Sequence, residues 1–195
     1  MIIIVITEII TMRDGNTKMS KNERQDWLAP DLVPVQQERL DKLNTLLKKG
    51  KMSSVGFIRN DQNVVDIIRE DRQLLKELGV TPEMISNRME ELCRAWLSIV
   101  EYPSSAKVEY QHFTIEVFVT LGYQQCPFEV LYDDPNPTKN YYGSDVIIIT
   151  NNRLKRKVKF PSLLIHHIRH YCFFEGKGMP YRAEPQDLIT VLEVK

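Results

Sequence analysis

Glu109-Tyr-Gln-His-Phe-Thr-Ile-Glu-Val-Phe-Val119 is the stretch on which the fold turns. Phe113, Ile115, Val117 and Val119 recur at every second residue, and Tyr110, His112, Thr114 and Glu116 alternate with them. Successive side chains of a strand point to opposite faces, so the pattern predicts one strand, buried on one face and wet on the other. Upstream, apolar residues repeat at the helical period. Downstream, they fall in short runs between turn residues.

Upstream, Thr81-Pro82-Glu83 is a helix start: a hydroxyl cap, a proline in the first turn and an acid at the positive end of the helix dipole. Ile85, Met89, Leu92, Trp96 and Ile99 then form one apolar stripe. Asn60 or Asp61 is placed to cap a preceding helix that carries Val64, Ile68, Leu75 and Leu78 and ends at Gly79. A first helix starts near Pro34, carries Leu40, Leu43 and Leu47, and stops at Gly50. Residues 11–34 read as a polar arm, with Trp27 and Leu28 as an anchor on the core.

The opening run Met1–Ile10 is apolar and β-branched but broken by Glu8. It lacks a basic region and a cleavage site, and it is far shorter than the roughly 20 apolar residues of a membrane helix. It is expected as a short buried strand, or as residues ahead of a natural start at Met12 or Met19.

Downstream, Phe128–Tyr132 predicts a second strand and Asp133–Pro137 a turn-rich loop. Val146–Ile149 and Lys155–Phe160 predict a hairpin turning at Asn151-Asn152. Pro161-Ser162 opens a helix over 162–172, Gly176–Gly178 follows, and Pro185 opens a last short helix carrying Leu188, Ile189 and Leu192. Helices, then strands, then helices, without βαβ alternation, predict an α+β fold. About three N-terminal helices would pack on a mainly antiparallel sheet of four or five strands, followed by two short C-terminal helices. The expected organisation is a strand and polar arm over 1–34, a helical block over 35–102, and a sheet region over 103–195 that joins the block in one globular unit.

Composition narrows the class. In 195 residues, 43% hydrophobic and 27% charged content with 8 Gly and 10 Pro excludes collagen-like, low-complexity and broadly disordered chains. Cys93, Cys126 and Cys172 are odd in number and widely spaced, which predicts reduced thiols and a cytoplasmic setting. Walker A, GxGxxG, HExxH, GxSxG, paired CxxC and EF-hand signatures are missing from the sequence, which counts against nucleotide-dependent enzymes and zincins.

Lys plus Arg and Asp plus Glu both number 26, so the formal net charge is zero. That zero conceals a dipole. Residues 151–182 hold eight basic residues against the single acid Glu175, leaving 18 basic and 25 acidic residues elsewhere. Within this +7 segment, Lys155, Lys157 and Lys159 would share one face of a strand, with Val158 and Phe160 on the other. With Arg153, Arg156, Arg169 and Arg182 they make a candidate polyanion site. Tyr171, Phe173, Phe174 and Tyr181 follow as aromatics able to stack on bases or to fill the core. Lysines on an exposed strand also protect a sheet edge, and a solvated face explains them equally.

The same segment holds three of the four histidines. His166 and His170 are four apart on a helix, a spacing that brings two imidazoles to one face, and Cys172 and Cys126 are further thiol donors. A metalloprotein or metal-dependent enzyme with zinc at this site is therefore the alternative expectation, against the surrounding positive charge. His167 falls on the expected core stripe, and His112 with Glu116 would line one polar strand face. The sequence predicts a non-enzymatic binding protein with no resident cofactor. Its basic hairpin and helix would face a nucleic acid, another polyanion or an acidic protein, with self-association of the chain as a further expectation and no membrane partner.

Overall fold

The helical period of the N-terminal half gives three helices in the computed structural model, which describes residues 37–100, 105–120, 122, 124–131 and 143–195. They are α1 (Gln37–Leu47), α2 (Val64–Leu78) and α3 (Pro82–Ile99). Thr81 caps α3 as its sequence indicates, its side chain accepting from Met84 N, and Gly79 closes α2 in the left-handed region. The cap of α2 is neither Asn60 nor Asp61 but Asn63, whose side chain accepts from Val65 N at 2.8 Å. Asp61 is taken instead by Arg59. The expectations for Met1–Pro34 and Asp133–Pro137 lie outside the described residues.

The Glu109–Val119 run is two strands rather than one. β1 (Ala106–Tyr110) and β2 (Phe113–Phe118) pair antiparallel with Tyr110 opposite Phe113, so Gln111 and His112 make the turn. Gln111 takes φ 56, a conformation usually marked by Gly or Asn, so no turn residue announced the break. The turn moves Tyr110 onto the face of Phe113 and takes His112 off the strand, away from Glu116. The second correction concerns Phe128–Tyr132. Pro127–Leu131 is a 3-10 turn with Phe128 and Leu131 buried three residues apart; Arg39 of α1 donates to Leu131 O at 3.0 Å.

β3 (Val146–Asn151) and β4 (Arg156–Pro161) complete a four-stranded antiparallel sheet in the order β1-β2-β3-β4. α4 (Leu163–Tyr171) and α5 (Pro185–Leu192) follow, so the described architecture is α+β with three helices before the sheet and two short ones after it. Val108, Phe113, Ile115, Val117, Ile147, Ile149, Val158 and Phe160 line the inner face and join one buried core with residues of all five helices. The Trp96 indole N–H donates to Ala106 O at 3.1 Å and pins α3 to β1. The outer face carries Lys107, Glu109, Thr114, Glu116, Phe118, Val146, Ile148, Thr150, Lys157 and Lys159, of which Thr114 alone is buried. Burial of one face and not the other is what the period of two produces in an antiparallel sheet covered on one side.

Candidate functional site

The β3–β4 hairpin is built around one amide. Asn151 is buried at the end of β3, and its Oδ1 accepts the backbone N–H groups of Arg153 and Leu154, each at 3.1 Å. Its Nδ2 donates to Val191 O and to Glu193 Oε1, each at 3.0 Å, which ties the turn to the end of α5. Glu193 also holds His112 Nε2 at 2.9 Å, so both hairpin turns meet at the same carboxylate. The hydrogen bonds of Asn151 and His112 hold the Glu193 carboxyl below its usual pKa.

On this frame the eight cations of residues 151–182 divide. Lys155 lies in the turn at φ 52 rather than on the strand, which shortens the expected row of three lysines to Lys157 and Lys159. These two stand on the outer face, with Lys159 Nζ 5.4 Å from the centroid of the Tyr181 ring. Arg153, Lys155, Lys157 and Lys159 are exposed and form no ion pair with any described residue.

The other four cations are engaged within the fold. Arg156 pairs with Asp187 of α5 at 2.7 Å, and Lys177 pairs with Glu70. Arg169 joins α4 to α3 through Glu90, Asn87 and Ser86. The Arg182 side chain is 3% exposed; it grips Asp71 with two nitrogens at 2.7 and 3.1 Å and reaches Glu184 at 2.8 Å. Burial works against the Arg182 charge, but the hydrogen bonds of Asp71 and Glu184 outweigh it and raise its pKa. Arg169 and Arg182 thus belong to internal joints and are not presented with the hairpin. Glu175, the one acid of the segment, is buried, and burial pushes its pKa up to about 8.

The histidines separate in the same way. His166 and His170 do meet, with ring centroids 4.7 Å apart. His167 is 1% exposed and sits among Phe57, Phe128 and Phe173, with centroids 5.5 to 5.9 Å away. Burial lowers its pKa to about 3. Cys172 closes α4 at φ 52, buried, its thiol pushed up to about 12 by burial and with Arg72 beside it. Cys126 is buried next to Tyr171, and burial pushes its thiol up as well. Among the described residues, no three His, Cys, Asp or Glu side chains come together to hold a metal ion.

Tyr171, Phe173 and Phe174 are core residues, and Tyr181 is half-buried beneath Lys159. Among the large hydrophobic side chains of the described residues that reach solvent, the aromatic one is Phe118, 46% exposed on the outer face of β2. Its signal was in the sequence: it falls on the polar side of the period-two pattern. Among the described residues, no helix is long and apolar enough to cross a membrane. Comparison with known protein families, curated proteins and solved structures finds no match to the chain.

Proposed function

We propose that this protein is a non-enzymatic interaction protein whose β3–β4 hairpin binds an anionic macromolecule, with Arg153, Lys155, Lys157 and Lys159 as its contacts. The observation that carries the reading is the division of the cations. Four are neutralised by acids from distant parts of the chain, and four remain exposed without such partners on a turn braced by Asn151. A braced turn loses little conformational freedom on binding, so more of each phosphate or carboxylate contact remains as affinity. Arg156, Arg169 and Arg182, included in the sequence-level site, support the fold around this surface.

Fluorescence anisotropy with a labelled heparin oligosaccharide and with labelled nucleic acid, across a salt series, tests the reading. Binding is expected to weaken steeply as salt rises, as counterion release requires, and to weaken further when Lys155, Lys157 and Lys159 are replaced by Glu. Absence of binding to either polyanion at low salt overturns polyanion binding and leaves an acidic protein face as the partner to pursue. A second reading, a zinc protein using His166 and His170 with one or both of Cys126 and Cys172, rests on the 4.7 Å approach of the two histidine rings alone and requires the thiols to move, since no third ligand stands with the pair among the described residues. Elemental analysis of protein purified without a His tag decides it, since a metal content near zero removes it.

A further inference from the structure

On the anion-binding reading proposed above, we infer that the open face of the sheet takes single-stranded nucleic acid, with an unpaired base stacked on Phe118 and the phosphate backbone along Lys157 and Lys159. The strand register places these groups on one surface. Phe118 pairs with Val146 and Val146 with Pro161; two residues along, Glu116 pairs with Ile148 and Ile148 with Lys159. Strands about 4.8 Å apart and residues rising about 3.3 Å put Phe118 and Lys159 roughly 12 Å apart along the open face, with Lys157 about 6.6 Å beyond.

Three observations favour unpaired bases over a bare polyanion. Phe118 is the one aromatic among the large exposed hydrophobic side chains of the described residues, and it lies on the face that the described helices leave open. An aromatic ring stacks on any base, but only a base freed from its duplex offers that face. The carboxylates of the surface are also occupied. Glu109 accepts the Thr114 hydroxyl at 2.7 Å and the Asn152 amide at 3.2 Å, and Glu116 lies 3.9 Å from Lys107 Nζ. Lys157 and Lys159 have no such partner among the described residues, so the β4 side of the face is left positive. Between the two sides, Val146, Ile148 and Thr150 form a half-buried floor without charge.

The test compares a labelled 12-nucleotide oligo(dT) and oligo(U) with a labelled heparin oligosaccharide, by anisotropy at low salt. The proteins are wild type, Phe118→Ala, Phe118→Trp, and the double variant Lys157→Glu, Lys159→Glu. Phe118→Ala is expected to weaken oligonucleotide binding about tenfold, the range of one lost base stack, and to leave heparin binding unchanged. Phe118→Trp should retain oligonucleotide affinity, and its added indole fluorescence should be quenched on binding. The double variant should weaken both ligands. If Phe118→Ala leaves oligonucleotide binding intact while heparin still binds, base stacking is overturned and the anion-binding reading stands. If neither polyanion binds wild-type protein at low salt, base stacking and polyanion binding both fall.

Discussion

The hairpin 151–159 contributes five basic residues and the segment 169–182 three, yet they do opposite work. In the second, Arg169, Lys177 and Arg182 reach acids of α2 and α3, and Arg182 is buried against Asp71. In the first, Arg156 pairs with Asp187, and the other cations are exposed without an ion pair to any described residue. The partner acids lie 79 to 111 residues away in the chain from Arg169, Lys177 and Arg182. A local charge count therefore weighs a structural cation and a free one alike. Only tertiary contacts separate them, and the two kinds should respond to mutation in different observables.

The largest effect is expected at Arg182. Both side chains of its pair with Asp71 are 3% exposed, and removing one member leaves the other charge buried and uncompensated. Arg182→Leu should cost about 3–5 kcal/mol in urea denaturation, enough to unfold a marginal domain. A loss below about 1 kcal/mol, the level of an exposed pair, would erase the distinction between the two regions.

Buried titratable groups of the structural half come next, and they act with opposite signs. Glu175 keeps its proton in the fold up to about pH 8, whereas an ordinary glutamate releases it near 4.5. The unfolded chain is therefore favoured as pH rises between those values. Glu175→Gln should flatten that slope and raise stability at pH 8 on the order of 2–4 kcal/mol. His167 stays neutral in the fold down to about pH 3, whereas an ordinary histidine protonates near 6.5. Stability is lost as pH falls through that window, and His167→Phe should flatten the acid limb. Urea titrations at a series of pH values measure both, and an unchanged pH profile in either variant removes that group from the account.

The fold was legible where local rules agree with tertiary demand. The caps Thr81 and Gly79, the α3 stripe from Ile85 to Trp96 and the β3–β4 hairpin each read alike in sequence and in space, whereas Ile99 is exposed and the β3 run, which reads as fully buried, turns Val146 and Ile148 to the outer face. Failures occurred where a local signal was absent or duplicated. Gln111 turns a hairpin without Gly, Asn or Asp, so two strands read as one. Asn60, Asp61 and Asn63 all suit a cap, and the hydrogen bonds alone select Asn63. Pro127 starts a 3-10 turn in a run whose apolar content also suits a strand. The candidate site was legible as a region but not by residue, because burial of Arg182 and Phe173 and exposure of Phe118 depend on which elements cover them. The histidine pair was legible because a helix fixes i, i+4 neighbours by itself, whereas a third ligand depends on the fold.

The smallest stability effects belong to the hairpin, and they sharpen the contrast most. Asn151→Ala removes the acceptor of two turn N–H groups and the donor to α5, so it should cost about 1–3 kcal/mol, as loss of buried hydrogen bonds does. It should also weaken polyanion binding although no charge changes, because Arg153 and Lys155 would then be held less firmly. Lys157→Ala, a few residues away, should change stability by less than about 0.5 kcal/mol while reducing the salt slope of binding by about one. Denaturation and a salt series on the same three proteins separate the roles. If Lys157→Ala moved stability and not binding, its charge would serve the fold as Arg182 does, and the hairpin would be a second structural region instead of a working surface.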